Sequence, residues 1–261
     1  MPIGLKGYLR SAVEYLPHAA AESFHTFGWR GLYLANAAFL LRRQPVPISL
    51  PRFGRIDSWA EAVNLIDNFA LGELRSDVVE AHLTSASHPC VVDVGVNVGV
   101  TSRWWLSLNP ALRVIGVDMF QEALDFTTRR IGRNGDSARW QAICGAVGSR
   151  EETVDVRYDD PLEGTSSVDN MVGRQSRAIR VSRLDDLLEG VALKKIDLLK
   201  IDIEGAAGGA LSGAPLTLAK CEYVVVETHS DAETRSASSY LSDSRFRLFR
   251  SRGRTMWWVR S

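Results

Sequence analysis

From residue 90 onward, short, wholly apolar, β-branched runs alternate with stretches of helical spacing, and this constrains the fold more than any other feature of the chain. The runs are Cys90–Val94, Arg113–Val117, Trp140–Ile143, Ile196–Ile203 and Tyr223–Val226. A strand with one wet face alternates apolar and polar residues. A strand without that alternation is covered on both faces, the condition of a central strand in a parallel sheet flanked by helices. The first three runs leave room for one helix between successive strands, as in βαβ units. Between Glu152 and Arg183, TVDVRY and AIRVSR do alternate, which predicts edge or antiparallel strands joined by a Gly/Ser loop. FRLF and TMWWVRS, separated by Ser251–Arg254, predict a terminal antiparallel hairpin. The expected class is α/β, a mostly parallel sheet closed by a hairpin.

Upstream, three prolines within Gln44–Pro51 forbid a continuous helix. The chain therefore divides into a helical N-terminal extension (1–43), a helical lead-in (44–89) and a core (90–261). Ala60, Val63, Leu65, Ile66, Phe69 and Leu71, followed by Leu74, Val78, Val79 and Leu83, predict helix over 58–86. The apolar run Gly31–Leu41 is too short for a bilayer span, which needs roughly 20 residues. It fits either a helix packed on the protein's own core or, with Arg30, Arg42 and Arg43 beside it, a helix lying on a membrane surface. The N-terminus has no apolar stretch of secretory-signal type.

Lys+Arg and Asp+Glu are equal at 31 each, so no net field draws the chain to nucleic acid. The distribution is uneven: residues 1–50 carry +3, residues 230–261 carry +4, and the middle carries −7. An acidic middle suits a cationic ligand. The three cysteines (Cys90, Cys144, Cys221) form no CxxC, and no His/Cys cluster has metal-ligand spacing. They read as reduced thiols of a cytoplasmic protein; no divalent metal is demanded, although Asp202 and Glu204 could ligate one through oxygen.

Four motifs carry chemistry. In VVDVGVNVGV (Val91–Val100) an apolar strand ends at Asp93, and Gly95 and Gly99 bracket a tight turn. Ligands of open parallel sheets bind outside the carboxyl ends of strands. Asn97 stands where a dinucleotide fingerprint needs its second glycine, and no G-K-[ST] of a P-loop follows. An acid-led glycine turn suits a ligand without phosphate and with a positive group, such as S-adenosylmethionine. VIGVD ends in Asp118, placed to accept two ribose hydroxyls. In IDLLKIDIEG (Ile196–Gly205), Lys200, Asp202 and Glu204 fall at alternate positions, on one side of an extended strand. Charges on a buried strand are costly unless paired or functional. In YVVVETHS, Glu227 and His229 share parity at a strand end, and His229 is the best general-base candidate.

Together with AVG (Ala146–Gly148), SSV (Ser166–Val168) and VSRLDDLL (Val181–Leu188), these motifs resemble those of the FkbM-type methyltransferases, in the same order from about residue 45 onward. The resemblance implies a class I, Rossmann-like methyltransferase fold: a seven-stranded sheet with its last strand antiparallel. It implies an S-adenosyl-L-methionine-dependent O-methyltransferase acting on a hydroxyl of a glycan, glycolipid or glycosylated metabolite, or else of a polyketide-type product. Carried over, Asp93, Gly95, Asn97 and Gly99 would line the methionine part of the cofactor and Asp118 the ribose. Cys144, Gly145 and Ala146 would lie by the adenine, Met119 would also contact the cofactor, and Asp202 and Glu204 would sit beside the methyl group or acceptor. The catalytic proton acceptor would be His229, Asp202 or Glu204. Two departures stand out: Asp118-Met119 replaces a Glu-Pro, and Ala206-Ala207 replaces a further acid after IEG. A nicotinamide-dependent oxidoreductase is the competing class. The expected partner is a small-molecule or glycan acceptor and not nucleic acid, with peripheral contact of the N-terminal helices at the inner face of a membrane and a homo-oligomer both left open.

Overall fold

The structure, a computed structural model, describes residues 5–40, 47–162 and 173–261, with side chains from residue 16 onward. The SSV motif at Ser166–Val168 lies outside the described residues. The chain forms two compact units, Met1–Arg75 and Ser76–Ser261. Residues 44–75 and 76–89, read above as one lead-in, therefore belong to different units.

The first unit contains α1 (Leu5–Phe27), α2 (Trp29–Leu40), the hairpin β1 (Ile48–Leu50) and β2 (Gly54–Ile56), and α3 (Trp59–Leu65). Ser58 starts α3 with a capping box: its hydroxyl accepts from the Glu61 amide at 3.1 Å, and the Glu61 carboxylate accepts from the Ser58 amide at 3.1 Å. The helix widens into a π turn at Ile66–Ala70 and then stops. The single helix expected over 58–86 is thus interrupted between Leu71 and Ser76. Leu71, Leu74 and Val79 are buried in spite of the break, because apolar spacing records which residues face inward and not whether the backbone stays helical.

The second unit opens with α4 (Asp77–Ser85) and continues β3 (Cys90–Val94), α5 (Val100–Leu108), β4 (Arg113–Asp118), α6 (Gln121–Arg133), β5 (Trp140–Cys144), β6 (Ala146–Val147), β7 (Glu152–Tyr158), β8 (Gln175–Ser182), α7 (Leu184–Leu187), β9 (Ile196–Ile201), α8 (Ala207–Ser212), α9 (Pro215–Leu218), β10 (Cys221–Glu227), α10 (Asp231–Asp243), β11 (Phe246–Arg252) and β12 (Thr255–Arg260). Seven strands form one sheet in the order β11-β12-β10-β9-β3-β4-β5. The pairs from β10 to β5 are parallel, and β12 runs antiparallel to both of its neighbours. This is the class I methyltransferase architecture, with the terminal strand reversed as expected. The alternating segments form a separate three-stranded sheet, β6-β8-β7, in which β7 and β8 are antiparallel.

Every residue of β3 and of β9 is buried. Val92, Val94, Ile115, Leu199, Ile201 and Val224 pack on one face against Leu184, Ala207, Ala210, Leu211, Ala237 and Leu241 of the covering helices. Each fully buried Val or Leu is worth about 1.5–3 kcal/mol, so the two central strands are the least movable part of the unit. Their register sets Asp93 opposite Lys200. Parallel pairing then brings the carboxyl ends of β3, β4, β5, β9 and β10 to one edge.

Candidate active site

Between β3 and α5 the chain must turn tightly at this edge. Gly95 takes φ +84°, and a Cβ built there would lie 1.9 Å from the Asp202 carbonyl oxygen. Only glycine permits both the left-handed backbone and that approach. The Gly95 amide donates to the Val117 carbonyl at 2.9 Å, and the Asp202 amide donates to the Val94 carbonyl at 3.1 Å. Asn97, also left-handed at φ +51°, donates its amide to Asp118 Oδ2 at 2.9 Å. Phe120 donates its amide to Asp118 Oδ1 at 2.9 Å. Burial raises the Asp118 carboxyl above its ordinary range, and these two amides work against that rise. The side-chain oxygen of Asn97 is buried and accepts no hydrogen bond from the described residues. Gly99 ends the turn at φ +67° as the N-cap of α5.

Asp93 is wholly buried. Its Oδ2 accepts from the hydroxyls of Thr101 at 3.0 Å and Ser102 at 2.6 Å, and Lys200 Nζ lies 3.1 Å from Oδ1. Lys200 Nζ also donates to the Gly95 carbonyl at 2.6 Å and lies 3.3 Å from Asp202 Oδ2. Burial opposes the ammonium charge, but Asp93 and Asp202 outweigh it and hold Lys200 above its ordinary range. The ends of β3 and β9 are thus fastened through one buried cation.

β9 ends at Ile201, so Asp202 and Glu204 are not on an extended strand as the parity reading expects. Glu204 sits in the turn before α8. The turn nonetheless brings both acids to His229, which follows β10. His229 Nδ1 lies 3.2 Å from Glu204 Oε2, and Nε2 lies 3.8 Å from Asp202 Oδ1. Asp202 is the main cause that lifts the imidazole to about 9; burial opposes the rise and Glu204 adds to it. Burial works against the Asp202 charge as well, yet Lys200 and His229 keep that carboxyl below its ordinary range. Burial pushes Glu204 up, with His229 opposing.

The remaining predicted residues lie across the glycine turn. The Gly145 amide donates to the Asp118 carbonyl at 2.9 Å, and Cys144 Sγ is 3.8 Å from the Met119 carbonyl. Burial and the neighbouring Asp118 raise the Cys144 thiol. Ala146 is buried at the start of β6. One edge therefore has an Asp118–Met119–Cys144–Gly145 side and an Asp202–Glu204–His229 side, with Gly95–Gly99 between them.

Two further residues complete the cluster, Glu227, which the sequence reading names without a role, and Glu233, which it misses. Glu227, at the end of β10, has a carboxylate oxygen that lies with ligand atoms of Asp202 and His229 within 4.8 Å of one another, a spacing that a shared cation would fit. Its parity with His229 was the available signal. Glu233, buried in the first turn of α10, accepts from the His229 amide at 2.7 Å and from the Ala207 amide at 2.9 Å. It supplies at the start of α8 the carboxylate that Ala206-Ala207 lacks. Only its place three residues after the N-cap Ser230 hinted at such a role.

A family model described as the methyltransferase FkbM domain matches residues 93–253. The 2-O-methyltransferase NoeI of Sinorhizobium fredii is 23% identical over 174 residues, 56% of this chain and 65% of NoeI. The AMB antimetabolite synthetase AmbE of Pseudomonas aeruginosa is 26% identical over 191 residues, 59% of this chain and 9% of AmbE. The hexuronic acid methyltransferase AglP of Haloferax volcanii is 22% identical over 170 residues, 65% of this chain and 68% of AglP. The matched segment thus spans less than two thirds of the length of NoeI and of AmbE.

Proposed function

The chain belongs to the FkbM methyltransferase family, and on that premise we propose that it is an S-adenosyl-L-methionine-dependent O-methyltransferase whose acceptor is a sugar hydroxyl of a glycan, glycolipid or glycosylated metabolite. The carrying observation is the acidic, His-centred cluster of Asp202, Glu204 and His229 directly beside the glycine turn. The residues present fit the cofactor. The unpartnered Asn97 oxygen suits its ammonium, the Asp118 carboxyl suits its ribose hydroxyls, and Met119, Cys144, Gly145 and Ala146 suit its adenine. Asp93 acts on this site through Lys200 and the glycine turn rather than by direct contact. When bound, the cofactor supplies an electrophilic methyl group on a cationic sulfur.

An alcohol is a poor nucleophile until its proton is taken in the transition state. A ring lifted to about 9 is an imidazolium at neutral pH and takes no proton. A second cation placed beside it would lower that value, which would let His229 serve as a base. Glu204 would hold Nδ1, so that Nε2, 3.8 Å from Asp202 Oδ1, would be the atom to take the acceptor hydroxyl's proton. No metal is required in this scheme, since Lys200 and His229 already balance Asp202. The names of NoeI and AglP favour a sugar over a polyketide acceptor. The carboxylates of Asp202, Glu204 and Glu227 favour a neutral sugar over a uronic acid. The free cysteines Cys90, Cys144 and Cys221 favour a reducing, cytoplasmic setting.

The test is transfer of an isotopic methyl group from the cofactor to neutral sugars, uronic acids and polyketide alcohols, with the product read by mass spectrometry. Methyl ethers on neutral sugars support the reading. Label found only on nitrogen or carbon, or no binding of S-adenosylhomocysteine by calorimetry, overturns it. Heat on titration with NAD alone would favour the oxidoreductase class instead.

A further inference from the structure

We infer that the outer face of α2 is a docking surface for an anionic lipid bilayer. The exposed large hydrophobics of the described residues are concentrated here: Phe24, Trp29, Tyr33 and Leu40, against Val78, Leu216 and Leu248 elsewhere. Trp29, Tyr33 and Leu40 stand at i, i+4 and i+11, a single stripe along the helix. Their exposures are 76%, 48% and 73%. Phe24 of α1 widens the stripe, its ring edge-on to Trp29 at 5.1 Å. The opposite side of α2 is already buried through Leu34, Ala35, Ala37 and Ala38. The helix is therefore apolar around nearly its whole circumference, a pattern found where a second cover exists. Its one amide, Asn36, spends its donor on the Leu32 carbonyl at 2.7 Å, within the helix.

Charge and length identify the cover. Residues 23–43 contain three arginines (Arg30, Arg42 and Arg43) and no acidic residue. A contact between two copies through this face would gather like charges from both chains, whereas anionic headgroups would neutralise them. Twelve residues of helix extend about 18 Å, and no helix of the described residues is long and apolar enough to cross a membrane. The helix therefore lies in the interface plane, with aromatic rings at headgroup depth and cationic residues at its border. The inference does not depend on the catalytic reading, but it would bring the enzyme to a lipid-linked acceptor.

The test is co-sedimentation of the full chain with phosphatidylcholine vesicles, with and without phosphatidylglycerol. Binding should need the anionic lipid and fall with salt. Trp29→Ser/Leu40→Ser should weaken it by more than roughly tenfold, while Val78→Ser/Leu248→Ser leaves it unchanged. Both pairs are solvent-exposed, so circular dichroism and S-adenosylhomocysteine binding should match the parent, which separates failure here from failure of the catalytic reading. Tyr33→Ser serves as a second variant if the first misfolds. No vesicle binding, binding indifferent to all of the α2 changes, or a dimer that Trp29→Ser/Leu40→Ser dissolves while vesicles capture nothing would each overturn the inference.

Discussion

Lys200→Met removes the one buried cation that joins the glycine turn to the acidic cluster, while keeping most of the side chain's volume. Three partners are lost together: Asp93 at 3.1 Å, the Gly95 carbonyl at 2.6 Å and Asp202 at 3.3 Å. Breaking one side of a buried pair costs about 3–5 kcal/mol, chiefly because a charge is left unneutralised. Here the lower end applies, since Asp93 keeps Thr101 and Ser102, and Asp202 is 29% exposed and keeps His229. We expect a loss of about 3 kcal/mol by urea denaturation and at least roughly tenfold weaker S-adenosylhomocysteine binding. The pH dependence supplies a stricter check. Asp202 is held below its ordinary range in the parent, so its stabilisation is present above the unfolded carboxylate value and is lost as pH falls through the folded one. Lys200, held high, contributes at all pH values below its unfolded value and is lost only as pH rises through the folded one. In the variant Asp202 loses the Lys200 cation that helps hold its carboxyl low, so the gap between variant and parent must narrow on acidification. Lys200→Met/Asp93→Asn should recover part of the lost stability at neutral pH. A stability within about 1 kcal/mol of the parent, or a gap that stays constant with pH, would refute the argument.

Other consequences are open to measurement. His229→Gln should retain S-adenosylhomocysteine binding and lose most turnover; full turnover would remove His229 as the base. The raised His229 value stabilises the cofactor-free protein fully below about pH 6.5, and that contribution is lost as pH rises through about 9. A cationic cofactor that lowers this value should on binding release a proton at pH below about 9, seen as buffer-dependent calorimetric heat that His229→Gln abolishes. Gly95→Ala should cost several kcal/mol or abolish cofactor binding, since its Cβ meets the Asp202 carbonyl at 1.9 Å in a left-handed backbone; parent-like affinity would contradict the turn's assigned role. Chelation with EDTA should leave turnover unchanged. A loss restored by magnesium would instead make Asp202, Glu227 and His229 ligands of a shared ion.

What the sequence disclosed follows from how directly burial writes itself into residue order. β3 and β9 are covered on both faces, so their apolar runs could be placed within a residue or two, and Lys200, as an ion in such a run, had to have partners. Parity failed two residues later because β9 stops at Ile201, and Asp202 and Glu204 reach His229 by a turn that no periodicity encodes. The Ala206-Ala207 departure shows a different limit. A one-dimensional comparison records the absence of an acid there, but the Ala207 amide still needs an acceptor, and Glu233 reaches it from α10 while fixing the His229 backbone at 2.7 Å. The same carboxylate therefore positions both the helix after Glu204 and the proposed base. Glu233→Gln keeps one acceptor oxygen and turns the other into a donor, so one of these two amides must face an N–H, at a cost of about 1–3 kcal/mol. If Glu233 positions His229, turnover in this variant falls further than S-adenosylhomocysteine affinity, and the buffer-dependent proton release shifts in pH. If both fall in proportion to lost stability, Glu233 is a helix cap and nothing more.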